Sequence, residues 1–168
     1  MASSKSQDAI SLLKEDHDAV EKLFKQFESA KGEGRKEKLA RQICMELTIH
    51  TKIEEEIFYP ACDGKIEEDL LKEAYVEHDS AKLLMAEIEA GNGQSDDFFD
   101  AKVQVLSEQV EHHVEEEEKE LFPKVRKAHS TQELEDLGAL MEQTAEEMKD
   151  AEPRLQVPAE TGAAAPID

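Results

Sequence analysis

Two stretches decide the fold: TIHTKIEEEIFYP, residues 48–60, and EHHVEEEEKELFP, residues 111–123. In each, a histidine precedes the proline by ten residues and a glutamate follows that histidine by four, pairing His50 with Glu54 and His113 with Glu117. Spacing alone proves little in a chain with 41 acidic residues. His17, His112 and His129 also have a glutamate four residues on, at Glu21, Glu116 and Glu133. What discriminates is helical phase.

Leu39, Ile43, Leu47, His50, Glu54 and Ile57 or Phe58 recur at steps of three or four, the apolar stripe of an amphipathic helix. Val103, Leu106, Val110, His113, Glu117 and Leu121 do the same around the second motif. Two further stripes run through Ile10, Leu13, His17, Val20, Phe24 and Phe27, and through Leu71, Tyr75, His78, Ala81, Met85 and Ile88. Each of the four carries one inward histidine.

Breaker clusters KGEGR (31–35), PACDG (60–64) and GNGQSDD (91–97) separate the stripes, and a softer break follows from Pro123 to Ser130. Helices of about twenty-five residues, each roughly 35 Å long, with short connections predict an all-α antiparallel up-down-up-down four-helix bundle. A short additional C-terminal helix is expected from Ser130, where Ser130 and Glu133 form a capping box ahead of Leu134, Leu137, Met141 and Met148. Residues 1–150 thus read as one domain. Beyond Asp150 the aperiodic EPRLQVPAETGAAAPID reads as a disordered tail, residues 151–168.

A formal net charge of -21 argues against nucleic acid, which is bound through lysine and arginine clusters, and against acidic membranes. The same field concentrates cations. No apolar run approaches a membrane span, and MASSKSQD lacks the apolar core of a secretory signal, so a soluble, cytoplasmic protein is expected. Cys44 and Cys62 have no CxxC spacing and suggest neither a disulfide framework nor a thiolate zinc site.

Burying a carboxylate costs several kcal/mol, and a buried ion pair rarely recovers the whole cost. Two glutamates and four imidazoles on inward stripes therefore need a compensating charge, which a metal supplies. In an up-down bundle His17, His50, His78 and His113 fall at a similar level to within about a turn. EDHDAVEKLF (15–24) and VEHDSAKLLM (76–85) form a second repeat, so the chain reads as one helical hairpin used twice. His112 also has the right spacing, with Glu116, but the stripe selects His113, and His129 lies beyond the repeat. A mixed imidazole and carboxylate set suits paired iron or manganese, with iron the first choice. Zinc would leave two groups idle, and no histidine has the preceding glutamate of a ferritin-like Glu-x-x-His site.

Residues 10–126 resemble the hemerythrin family, in its HHE cation-binding branch, through EDHD around His17, HTKIEEEIFYP from His50, VEHD around His78 and HHVEEEEKELFP. The resemblance implies two iron ions, oxo- or hydroxo-bridged, held by His17, His50, Glu54, His78, His113 and Glu117. The chain departs from the oxygen-carrying hemerythrins at Lys82, where they have a second histidine on the third helix. Their aspartate, five residues after the fourth-helix histidine, corresponds to Glu118, whereas the repeat selects Glu117. Tyr59 reads as a packing aromatic, with a donor or additional ligand role as the alternative. Glu55 and Glu56 read as solvated.

The expected function is a non-heme di-iron protein that binds or reacts with O2, NO or peroxide, with peroxide or NO detoxification as the enzymatic form. The alternative is an iron-binding or iron- and oxygen-sensing module without turnover. A metal-free interaction protein is the third reading. No catalytic residue is named beyond the ligands, and the reductant and oligomeric state are open.

Overall fold

A computed structural model describes residues 7–91, 93 and 95–151 of the chain, so the expected tail lies almost wholly outside the described residues. Helices account for nearly all of what is described, and the bundle is the one expected from sequence. Helix α1 spans Ala9–Ser29. Helix α2 spans Glu33–Ile53 and continues through a π-helical turn, Glu54–Phe58, into a last α turn, Tyr59–Cys62. Helix α3 spans Glu68–Ala90. Helix α4 spans Phe99–Glu116, continuing through a second π turn, Glu117–Leu121, into Phe122–Ala128. Helix α5 spans Thr131–Asp150.

Local chemistry sets these boundaries. Asp8 caps α1 by accepting the Ser11 N–H at 2.8 Å. Gly32, at φ 95°, turns the chain between α1 and α2 in a conformation that disfavours other residues. The expected capping box opens α5: the Ser130 hydroxyl accepts the Glu133 N–H at 3.1 Å, and the Glu133 carboxylate accepts the Ser130 N–H.

Both long helices, α2 and α4, end within the expected breaks, but they run past Pro60 and Pro123 to Cys62 and Ala128. A proline ring clashes with the carbonyl four residues back, and widening the preceding turn removes that clash. Accordingly the Tyr59 N–H bonds to the Glu54 carbonyl, five residues back, and the Phe122 N–H bonds to the Glu117 carbonyl. One residue is added to each stripe, so that Phe58 and Tyr59 are both buried, as are Leu121 and Phe122. The sequence left Ile57 or Phe58 open as the stripe residue. Phe58 takes the core position.

The core is two apolar plugs with a polar layer between them. One gathers Ile10, Leu13, Ile53, Phe58, Phe122 and Met141, with α5 contributing Leu134 and Met141 against α1 and α2. The other gathers Val20, Phe24, Ile43, Leu47, Met85 and Leu106. Each large side chain removed from water contributes about 1.5–3 kcal/mol, and the two plugs hold the helices in the register that aligns the layer between them. Cys44 and Cys62 are free thiols inside these plugs. Burial pushes the Cys62 thiol up to about 12, so it is a packing residue.

Candidate metal centre

The layer between the plugs holds all six residues singled out by sequence: His17, His50, Glu54, His78, His113 and Glu117 are buried. They fall into two triads, His17 with His50 and Glu117, and His78 with His113 and Glu54, each with its ligand-type atoms within 4.8 Å of one another. Every triad takes two histidines from one helical hairpin and its glutamate from the other. The glutamates also remain beside their own-helix histidines. His50 Nε2 lies 2.5 Å from Glu54 Oε1 and His113 Nε2 lies 2.9 Å from Glu117 Oε1.

The four imidazoles turn Nε2 inward and Nδ1 outward. Each Nδ1 meets a carboxylate: His50 meets Asp16 at 3.1 Å, His17 meets Glu118 at 3.0 Å, His78 meets Glu55 at 3.1 Å, and His113 meets Glu77. Such partners fix the Nδ1–H tautomer and leave the Nε2 lone pair free to bind a metal. Asp16, Glu55 and Glu77 were missed in the sequence, and Glu118 was named there only as the counterpart of the hemerythrin aspartate, though a signal was there for all four. Asp16 and Glu77 are the acidic residues immediately before His17 and His78, yet each reaches across to the histidine of the next helix. Glu55 and Glu118 immediately follow Glu54 and Glu117. Glu55 is therefore not the solvated residue expected, and only Glu56 stays exposed.

Donor atoms inside the layer are unsatisfied by the protein itself. His17 Nε2, His50 Nε2, both oxygens of Glu54 and Glu117 Oε1 are buried without a hydrogen-bond partner of good geometry. Orphaned buried polar atoms on this scale are rare in native proteins. Their convergence suits a cation that accepts electron pairs from all of them, and the six residues could hold two.

In the metal-free protein, protons take part of that role. Burial disfavours a charged His50, yet Glu54 and Asp16 outweigh it and raise the pKa to about 10. Burial acts likewise on His113, where Glu117 and Glu77 hold the pKa well above the usual histidine range. Burial would push the Glu117 carboxyl up, but His113, with His17, pulls it well below the ordinary value.

Tyr59 belongs to the site, which revises the packing role preferred from sequence. Its hydroxyl donates to Glu117 Oε2 at 3.2 Å and lies 3.3 Å from His78 Nε2 and 3.5 Å from His113 Nε2. Burial first, then the Glu117 and Glu54 charges, keep it a neutral phenol. A cavity of about 30 Å³ is lined by all four layer histidines but by neither Glu54 nor Glu117; Val20, Leu47, Met85 and Val110 form its apolar wall, with Asp16 and Glu77 beside the histidines they hold. It can admit a molecule the size of water or a diatomic gas. A wider groove beside α1 and α4 opens past Glu118 to the edge of His17.

A model of the Hemerythrin HHE cation binding domain family matches residues 8–125, which take in all six residues of the layer. The chain belongs to this family. Hemerythrin HHE domains bind metal cations, commonly iron. The chain is similar to the crystal structure of a hemerythrin HHE cation binding domain-containing protein from Mycobacterium kansasii, with TM-score 0.77, 24% identity and coverage of 95% of this chain and 97% of that one. At that identity the likeness concerns the fold. It is also 30% identical over 145 residues to a DNA nickase from Nostoc sp., covering 86% of this chain but spanning only 39% of that protein's length.

Against the hemerythrin pattern, Lys82 occupies the place of the second third-helix histidine without entering the layer. It is buried, and its ammonium donates to Glu55 Oε2 at 2.7 Å. Burial would raise the Glu55 carboxyl, but His78 and Lys82 hold it below the usual range. Glu118 stands outside the triads at His17 Nδ1. His112 is largely exposed, with its side chain 64% accessible, and His129 is buried elsewhere, its ring nitrogens 3.0 and 3.1 Å from the Val125 and Ala61 carbonyls.

Proposed function

We propose that the chain is a non-heme di-iron protein whose buried layer binds or reacts with O2, NO or peroxide, and that His17, His50, Glu54, His78, His113 and Glu117 are the metal ligands. The observation that carries this reading is the pair of crossed triads facing an apolar cavity. Two histidines per ion leave coordination positions open, and the cavity is lined by the histidines and by neither glutamate. Bound iron would supply the redox equivalents and the Lewis acidity for a small oxidant or NO.

The chain's own residues set the conditions for that chemistry. The walls at Val20, Leu47, Met85 and Val110 exclude bulk water and favour small, weakly polar ligands. Asp16, Glu118, Glu55 and Glu77 hold the four imidazoles in orientation. The Tyr59 hydroxyl restrains Glu117 from the opposite side and holds a proton at Oη. If there is turnover, the protein is an oxidoreductase consuming peroxide or NO.

The alternative is an iron- or oxygen-sensing module without turnover. It is favoured by the crossing of the triads, because ligands drawn from four helices couple occupancy to bundle stability. Nicking DNA is named only for the much longer Nostoc protein, and a net charge of -21 speaks against nucleic acid as the partner here. The free thiols Cys44 and Cys62 suit a reducing compartment such as the cytoplasm.

The deciding experiment is metal analysis of protein expressed with iron and purified without chelators, followed by optical spectra before and after peroxide. Two irons per chain with an oxo-to-iron band support the centre, and substantially fewer overturn it. Sustained oxygen evolution marks an enzyme, whereas a single stoichiometric bleaching marks the sensor.

A further inference from the structure

The groove beside α1 and α4 and the cavity over the layer histidines meet at a common wall. The groove has a volume of about 890 Å³ and runs from Phe27 and Lys36 to Glu118. His17, Val110 and Val114 line both hollows. His17 is held in place, its ring stacked on Phe122 at 5.9 Å and its Nδ1 against Glu118. The remaining barrier is the pair of valines, one turn apart on α4 and half-buried. Each borders the cavity on one side and the open groove on the other.

Valine presents only methyl groups, so a molecule crossing this wall gives up its hydrogen bonds to water and is offered none in return. The penalty is large for an ion and small for a weakly polar gas. Valine is also stiff at χ1 within a helix, which keeps the passage narrow. The groove in front selects in the same direction. Its three lysines, Lys25, Lys36 and Lys119, are each paired with a carboxylate of the groove itself. Four further carboxylates, at Asp18, Glu28, Glu111 and Glu118, leave it negative. An anion is therefore repelled before it reaches the valines.

We propose that this groove is the entrance to the buried layer and that Val110 and Val114 are its specificity-determining residues, admitting neutral molecules of diatomic size and turning back anions. That an admitted molecule meets a metal rests on the proposed role of the layer. The route itself is a property of the protein alone. No bond is made or broken in passage.

The test uses the full chain and three variants, Val110→Ala, Val110→Phe and the double variant Asp18→Asn, Glu111→Gln, with circular dichroism checking the fold. In the metal-free protein the probe is xenon, whose exchange with the cavity is read by 129Xe saturation transfer. Exchange should quicken in Val110→Ala and slow by roughly 10–100-fold in Val110→Phe. In the reduced, iron-loaded protein, Val110→Phe should slow NO association and dissociation by the same factor and leave Kd unchanged, as an obstacle on the route does and a lost ligand contact does not. In the oxidised form, the double variant should bind azide roughly 3–10-fold faster, with its NO rate unmoved. A wild type that takes up no xenon, valine variants that exchange it at the wild-type rate, or an azide rate indifferent to the carboxylates overturns the proposal. Xenon exchange that follows the valines in a protein that holds no iron shows instead that the buried-layer reading has failed, and leaves the entrance standing.

Discussion

Lys82 Nζ donates a 2.7 Å hydrogen bond to Glu55 Oε2 where both side chains are shielded from solvent. The other Glu55 oxygen lies 3.1 Å from His78 Nδ1, so the lysine acts on a layer histidine through an intervening carboxylate. Lys82→Met leaves that carboxylate with less compensation. We expect a loss of about 2 kcal/mol in urea unfolding of the metal-free protein. Glu55→Gln in the Lys82→Met background should restore part of it, and a coupling energy near zero in the double-mutant cycle would contradict the pairing.

Tyr59→Phe keeps the ring against Phe58 and Tyr75 but removes the donor to Glu117. The fold should lose only about 1 kcal/mol. Metal affinity, or the rate of reaction with peroxide, should change by about 10–100-fold. Unfolding midpoints and competition with a chelator measure the two effects separately, and an unmoved affinity would return Tyr59 to a packing role.

Asp16→Asn is close to isosteric and leaves α1 intact. It removes the charge that holds His50 at Nδ1, 3.1 Å away. Metal affinity should fall by about 10–100-fold with the circular dichroism spectrum unchanged.

Loading should release protons. A histidine whose folded pKa exceeds its unfolded one binds its proton more tightly in the fold, so its stabilisation is complete below the unfolded pKa. For His50 that contribution is present below 6.5 and is lost as pH rises through about 10. His113 is shifted in the same direction. At pH 8 His50 is therefore protonated without metal, and loading should expel at least one proton per chain. Calorimetry in buffers of different ionisation enthalpy reads this number; a value near zero would mean that the imidazoles are already neutral. The metal-free protein should also lose stability from neutral pH towards pH 10.

Gly138→Ala tests the seat of α5. A Cβ built there falls 2.0 Å from the Gln7 carbonyl oxygen and 2.8 Å from the Ala9 nitrogen, both backbone atoms at the start of α1. The helix would have to move away, at a cost of about 1–3 kcal/mol. Thermal unfolding measures it, and an unchanged midpoint would show that α5 is loosely docked.

The bundle and its inward histidines were legible because periodicity and burial have one cause: residues a turn apart share a face, so His17, His50, His78 and His113 inherit the burial of their apolar neighbours. Glu54 and Glu117 were legible for the same reason. Tyr59 was not, because the π turn shifts phase by a residue and periodic counting assumes a uniform helix. The role of the outward carboxylates escaped because each binds a histidine on another helix. Asp16 sits next to His17 in sequence but against His50 in space. Gly138 could not be read at all, since its meaning lies in the backbone it touches.

The exchange of glutamates between the two hairpins makes the centre a clasp. Neither half of the chain can complete a triad, because each brings two imidazoles and gives its carboxylate away. Two copies of one hairpin, related by a twofold axis, would contain the full complement. The arrangement is that of a symmetric dimer within a single chain, and the second hairpin departs from the first at Lys82, which stands where the first has Glu21, and at His112, which stands where the first has Ile49.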